Sequence, residues 1–145
     1  MSHWFANQHL PDTQYGALKK NMTASKMFIF PVKKAGGHFM LVSQYQDNSI
    51  LFTYAEEYRK KGIFATPYFI LTIFEELLET KKLALVRGDI IDFKMEKKDA
   101  HEVTKNLLSF YLTPELYEQF VYPFNTDSTS FNYEKYCSLM NISPF

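Results

Sequence analysis

Histidine and cysteine, the side chains that most often do chemistry in proteins, are few in this chain and widely spaced. They are His3, His9, His38, His101 and Cys137. No pair of them has the spacing of a metal-ligand motif, and no catalytic signature surrounds the cysteine. His38 follows a glycine turn and His101 falls in the first turn of a predicted helix, so we interpret both as surface or structural residues. Cys137 is predicted to be a buried, unreactive thiol.

The acidic residues also lack an arrangement that would support catalysis. Glu56-Glu57 and Glu75-Glu76 are neighbours on predicted helices, where adjacent side chains diverge and cannot share a proton. Arg87 and Asp89, near the end of a predicted strand, leave open a pocket for a small molecule or a reaction as a lesser alternative. We therefore predict that the protein is not an enzyme. We assign it no catalytic, cofactor-binding or metal-binding residues.

The composition is that of one globular domain held together without cross-links. The chain has 145 residues, 46% of them hydrophobic, which is enough to build a core, and its single cysteine excludes an internal disulfide. The 16 basic and 16 acidic residues balance, so no overall field attracts nucleic acid or anionic lipid. Fourteen Phe and ten Tyr favour a protein-contact surface. The longest apolar run, 68–74, is too short to be a transmembrane segment.

The elements that must position any site begin with the stretch Met27–Thr53, which has the pattern of an antiparallel meander. Its apolar runs are separated by Gly36-Gly37 and by Asp47-Asn48, which tolerate the positive φ of tight turns. Both alternate sets of the first run are apolar, so we predict a central strand covered on both faces. The runs 67–74 and 83–91 predict a fourth and a fifth strand.

Helical periodicity dominates after the strands. Asp99 and Glu102 have the spacing of a capping box, and Thr113-Pro114 predicts the start of a second helix. A short surface helix is also predicted between Thr53 and Gly62. Strands first and helices last indicate an α+β single domain, with an antiparallel sheet of about five strands and two C-terminal helices packed on it.

The chain divides into three predicted parts. Residues 1–14 are an N-terminal arm, 15–124 the α+β body and 125–145 an aromatic, aperiodic C-terminal tail that wraps the body. We expect hydrophobic contact with a partner protein through Trp4 and Phe5 of the arm and Phe131, Tyr133 and Tyr136 of the tail. The arm has no basic segment, so it resembles neither a secretory signal nor an ordinary transit peptide.

Several segments occur in the order and spacing of a known family. They are Phe28-Ile29-Phe30-Pro31-Val32, Ile50-Leu51-Phe52-Thr53, Ala65-Thr66-Pro67, Leu83-Ala84-Leu85-Val86-Arg87-Gly88-Asp89-Ile90, Phe110-Tyr111 and Phe131-x-Tyr133. Together they resemble the assembly chaperones of the mitochondrial ATP synthase catalytic head, specifically the family that handles the β subunit. The resemblance covers residues 15–136, which is most of the chain.

The resemblance implies a non-enzymatic protein in the mitochondrial matrix or on the matrix face of the inner membrane. Family members shield the exposed surface of an unassembled β subunit until the α subunit replaces them. Such a client surface is apolar, which suits an aromatic-rich chain without net charge. Only a short arm precedes the first predicted strand, where the family usually has a longer helical region. That departure keeps a second function open, a permanent structural accessory subunit of the ATP synthase or of a respiratory-chain complex.

Overall fold

The computed structural model describes residues 3–144, with side chains from residue 9 onward. In chain order the elements are β1 His3–Pro11, α1 Asp12–Ala24, β2 Met27–Lys34, β3 Gly37–Gln46, β4 Ser49–Tyr54, α2 Ala55–Lys61, β5 Phe69–Phe74, α3 Leu78–Lys81, β6 Leu83–Ile90, α4 Lys97–Leu112, α5 Pro114–Leu116, a π-helical turn Tyr117–Val121, α6 Tyr122–Thr126 and α7 Tyr133–Leu139. Short 3-10 turns follow α2 and precede α7. Within the described residues, every helix is too short or too polar to span a bilayer.

The strands form one six-stranded antiparallel sheet in the order β1-β6-β5-β4-β3-β2. The prediction of an α+β single domain is confirmed. The five predicted strands correspond to β2 through β6, which run as a meander. The first two turns use the predicted residues, with positive φ at Gly36 and at both Asp47 and Asn48.

The sixth strand, β1, lies where the sequence predicts an aperiodic arm, so that prediction is wrong for residues 3–11. β1 pairs with β6 from His3 opposite Ile90 to Pro11 opposite Leu83, and the register shifts between Phe5 and Gln8. This bulge breaks the two-residue alternation by which a strand is recognised in a sequence. The side chain of Leu10, near the end of β1, is buried in the core.

β2 is an edge strand, so the prediction that it is central is also wrong. Side chains cover much of its outer edge. The Asn125 amide accepts the Met27 N–H at 3.0 Å and donates to the Met27 carbonyl at 2.6 Å, and the Tyr136 hydroxyl donates to the Ile29 carbonyl at 2.6 Å. Pro31 has no N–H to leave unpaired at this edge. The C-terminal segments pack along β2, which explains why both of its alternate sets are apolar although β2 is the last strand of the sheet.

The core lies between one face of the sheet and the helices. Phe28 of β2 is at its centre, with ring centroids 5.3 Å from Phe110 of α4 and 5.3 Å from Tyr136 of α7. Tyr15 and Leu18 of α1 are buried in the same cluster. The C-terminal segments are therefore part of the core and not a loose wrapping.

One helix start differs from the prediction by about one turn, and one short helix was not predicted. The capping box of α4 joins Glu96 to Asp99, one turn earlier than the predicted Asp99 and Glu102 pair. Thr113 and Pro114 begin α5 as predicted. In the tail predicted to be aperiodic, Asn132 caps α7 by accepting the Lys135 N–H at 2.9 Å. That short helix was missed because it presents little more than one buried turn.

Candidate protein-binding surface

The residues that the sequence singles out for chemistry do not converge in the structure. His38 is half-buried at the start of β3, His101 is half-buried on α4, and Cys137 is buried in α7. In the part of the chain whose side chains are described, no group of three or more His, Cys, Asp and Glu residues is placed to hold a metal ion. Exposed apolar side chains offer a clearer candidate for function.

The sheet has one face against the core and another that the alternation of β5 and β6 leaves partly open. In β5, Phe69, Leu71 and Ile73 are buried while the residues between them are half-buried. The alternate, outward-facing positions nevertheless carry large apolar side chains. We call this set the open face, and it consists of Leu51, Ile70, Phe74, Leu83 and Leu85.

Strand register places the open-face residues side by side. Leu51 of β4 lies opposite Ile70 of β5, and Phe74 of β5 lies opposite Leu85 of β6. Leu85 is the most exposed of them, at 42%. The solvent face of an antiparallel sheet normally alternates to polar residues, so a row of apolar ones is typical of a surface that binds another molecule.

Arg87 and Asp89 lie on this same outward side of β6. The Arg87 guanidinium donates to the Asp89 carboxylate at 3.2 Å, as side chains two apart on a strand can. Their cross-strand partners in β5 are Thr72 and Ile70. The pair is therefore a neutral polar element within an apolar sheet face, and this position gives the predicted small-molecule site no support.

A second exposed apolar group lies where β4 and β6 end and β5 begins. Ile63, Phe64 and Phe93 are 83%, 84% and 89% exposed. We call these three residues the apolar tips. They extend from two loops, one leading into β5 and one following β6.

Tyr68 joins these two loops. Its N–H donates to the Phe52 carbonyl at 2.8 Å and its carbonyl accepts the Ile91 N–H at 2.8 Å. Its ring stacks on Tyr54 with centroids 5.8 Å apart, and Phe39 packs against both rings at 6.0 Å. Two loops that each contain an exposed aromatic residue are thus connected to one aromatic cluster.

The predicted contact residues of the arm lie in β1. The backbones of Trp4 and Phe5 pair with Asp89 and Gly88. Their side chains lie outside the described part of the structure, so partner contact through them stays a prediction.

The predicted contact residues of the tail pack against the domain itself. Tyr136 is fully buried, so its observed role is in folding and it offers no surface to a partner. The Phe131 ring lies 5.2 Å from Phe124, and the remaining surface of Phe131 is only partly exposed. Burial raises the pKa of the half-buried Tyr133 hydroxyl. Partner contact through Phe131 and Tyr133 is a prediction that their partial exposure leaves open.

The open face and the apolar tips are absent from the set of residues predicted from the sequence. A weak signal exists for the tips, because Ile63 and Phe64 follow Gly62 at the end of a short helix, where no core element is predicted. The open face carries no such signal. Apolar residues on both sides of β5 are equally consistent with a strand buried on both faces.

An α+β domain with an exposed apolar sheet face has the surface expected of a protein-interaction module. A comparison with family models identifies the family, because residues 4–137 match the model described as ATP11 protein. The chain belongs to this family, the F1 ATP synthase assembly factor 1 family. The family acts in ATP synthase assembly, is associated with mitochondria and is not known for catalysis. A comparison with curated proteins found no match.

Proposed function

We propose that this protein is an assembly chaperone that binds the unassembled β subunit of the ATP synthase in the mitochondrial matrix. It covers an apolar surface of that subunit until the α subunit takes its place. Membership of the F1 assembly factor family supports the process, and the open face supports the mode of binding.

The open face is the observation that carries this proposal. Removing an apolar side chain from water contributes about 25 cal/mol per Å². Ile70, Phe74 and Leu85 remain partly exposed after folding, so a partner that buries them gains this free energy on binding. A free β subunit exposes the surface that it will bury against its neighbours. Two apolar surfaces brought together protect each other from aggregation.

The size of the face fits a contact that must later be exchanged. The open face lies on three strands, β4 to β6, of six to eight residues each. With strands about 4.8 Å apart and a rise of about 3.3 Å per residue, these three strands present at most roughly 400 Å². Each partner in a stable complex contributes roughly 800 Å². A smaller contact is the one that a competing α subunit can displace.

Charge does not oppose the contact. The Arg87 and Asp89 side chains neutralise each other on the face. The client surface therefore needs no charged residue opposite them. The ion pair loses little hydration if its outer side stays in contact with water in the complex.

Light scattering of the isolated β subunit tests the proposal. Denatured β subunit is diluted into buffer with or without the purified protein, and we expect the protein to suppress aggregation at about equal molar amounts, as a one-to-one complex. The double variant Ile70→Ser/Leu85→Ser should weaken this protection by about 10- to 100-fold in affinity, since each substitution removes a contacting apolar side chain. Leu139→Ser is the matched control, because Leu139 is 49% exposed on α7.

Three results would contradict parts of the proposal. No protection by the unmodified protein would reject the chaperone function. Full protection by the folded double variant would reject the open face as the binding surface. Native electrophoresis of mitochondria supplies the third test, because co-migration with the mature enzyme at full stoichiometry would favour the accessory subunit.

A further inference from the structure

The apolar tips are not explained by client binding on the open face. Ile63, Phe64 and Phe93 are almost fully exposed, and they protrude from loops at one end of the sheet. The open face is half-buried by comparison, and its most exposed residue, Leu85, reaches only 42%. Because the tips lie in loops at the end of the sheet and not on its strands, a partner on the open face leaves them unexplained.

The two loops lie close together in space. Burial raises the pKa of the Tyr68 hydroxyl, and the nearby Lys94 ammonium opposes part of this rise. Lys94 lies over the Tyr68 ring, with Nζ 5.7 Å from the centroid. The loop that follows β6 is thus held against Tyr68 by Lys94 and by the Ile91 N–H, which donates to the Tyr68 carbonyl at 2.8 Å. Tyr68 is four residues after Phe64, so the two loops that contain the tips meet at this residue.

Exposed cations lie close to the tips along the chain. Those on the α2 side are Arg59, Lys60 and Lys61, and those on the side of α4 are Lys94, Lys97 and Lys98. The same two segments contain four carboxylates, those of Glu56, Glu57, Asp92 and Glu96, so the cations are in excess by two charges. The ion pair between Arg59 and Glu56, at 2.5 Å, neutralises one charge of each sign. On the other side, Glu96 is paired with Lys34 at 3.1 Å. The end of the sheet that contains the apolar tips is therefore positively charged although the whole chain has no net charge.

We propose that the apolar tips and the cations close to them dock this end of the protein on an anionic membrane surface. Phe and Ile side chains enter the headgroup region while Lys and Arg remain at the phosphate level. Each cation close to an anionic leaflet strengthens the attachment, and the attraction falls off within a Debye length. A protein partner is disfavoured because exposed lysines are depleted in the centres of protein interfaces.

Vesicle co-sedimentation tests this docking. The probes are vesicles of phosphatidylcholine alone and vesicles of phosphatidylcholine and phosphatidylglycerol in equal parts. We expect the protein to bind the mixed vesicles, to bind phosphatidylcholine alone much more weakly, and to dissociate as salt is raised. Phe64→Ser/Phe93→Ser should lower the partition coefficient by about tenfold or more, since two inserted rings are lost. Lys60→Glu/Lys61→Glu should lower it on the mixed vesicles only.

The control is Tyr122→Ser, which removes an aromatic side chain that is 49% exposed at the opposite end of the sheet, beside the start of β2. Its partition coefficient should stay unchanged. Absence of binding to mixed vesicles, equal binding to both vesicle types, or full binding by Phe64→Ser/Phe93→Ser would overturn the proposal. So would a loss of β-subunit protection in that variant with vesicle binding unchanged, because the tips would then contact protein. The residues differ from those of the open face, so the two proposals fail separately.

Discussion

Replacing Asn125 by aspartate tests how the outer edge of β2 is held. The Asn125 Nδ2 group donates to the Met27 carbonyl at 2.6 Å and to the Val121 carbonyl at 2.9 Å, while Oδ1 accepts the Met27 N–H at 3.0 Å. Asn125→Asp keeps the size and the acceptor of the side chain. It removes both donated bonds and places a carboxylate oxygen against two carbonyl oxygens.

The expected loss of stability follows from those two bonds. A hydrogen bond contributes about 1 kcal/mol net, and an acceptor left unpaired in a partly buried site costs about as much again. Because Asn125 is only half-buried, water can replace part of the two lost hydrogen bonds. We therefore expect Asn125→Asp to lower the free energy of unfolding by about 2–3 kcal/mol. The loss should shrink at acidic pH, where the protonated carboxyl regains one donor.

Denaturant unfolding followed by circular dichroism measures the effect, and Asn132→Asp provides a matched control. Asn132 Oδ1 only accepts, from the Lys135 N–H at 2.9 Å, and aspartate caps a helix as well as asparagine does. We expect this control to change the unfolding free energy by less than about 0.5 kcal/mol. Equal effects of the two substitutions would refute the reasoning, since they would show that the pairing of Asn125 with β2 contributes nothing specific.

Two further predictions concern the attachment of α1 and the role of β1. The Tyr15 hydroxyl and the Lys19 ammonium donate to the Glu75 carboxylate and hold its pKa below the ordinary value of 4.5. This stabilisation is present above the unfolded-state pKa and is lost as pH falls through the lowered folded-state pKa. Because Glu75 is 38% exposed, Glu75→Gln should lower the free energy of unfolding by only about 0.5–1 kcal/mol at neutral pH. It should also make that free energy fall less steeply as the pH is lowered below the unfolded-state pKa of Glu75. An unchanged pH dependence would contradict this prediction. If Trp4 contacts the client, Trp4→Ser should weaken capture of the β subunit in a pull-down while His9→Ser on the same strand does not, and equal capture by both variants would reject that contact.

Local patterns were sufficient to predict most of the sheet. Alternation and turn chemistry identify β2 through β6, because each pattern reports on residues that are close in the chain. β1 was missed because its bulge interrupts the alternation. The edge position of β2 was missed for a different reason. An apolar strand that lies between two other strands and an apolar edge strand covered along its outer side by Asn125 and Tyr136 have the same composition. Only the tertiary structure separates the two.

The candidate surfaces were harder to predict than the fold. Exposure is a property of the assembled domain, and Leu85 looks like any other apolar residue of a strand until its side of the sheet is known. Among the predicted contact residues, Tyr136 illustrates the opposite error. An aromatic residue in an aperiodic tail suggests a partner, but its ring fills the space beside Phe28. Aromatic content predicts contact without saying whether the contact is internal.

The chaperone function proposed above requires that a protein with exposed apolar surface avoid aggregating by itself, and two features of the sheet reduce that risk. Edge-to-edge pairing with another molecule is blocked at β2, where Asn125 and Tyr136 already occupy the backbone of Met27 and Ile29. Face-to-face stacking is limited because the paired Arg87 and Asp89 interrupt the apolar row. A larger client surface can contact the apolar residues on both sides of the Arg87 and Asp89 pair and leave the pair in contact with water. A second copy stacked face to face brings two such pairs into one contact and must desolvate both. The Arg87 and Asp89 pair therefore disfavours self-association more than it disfavours binding of the proposed client.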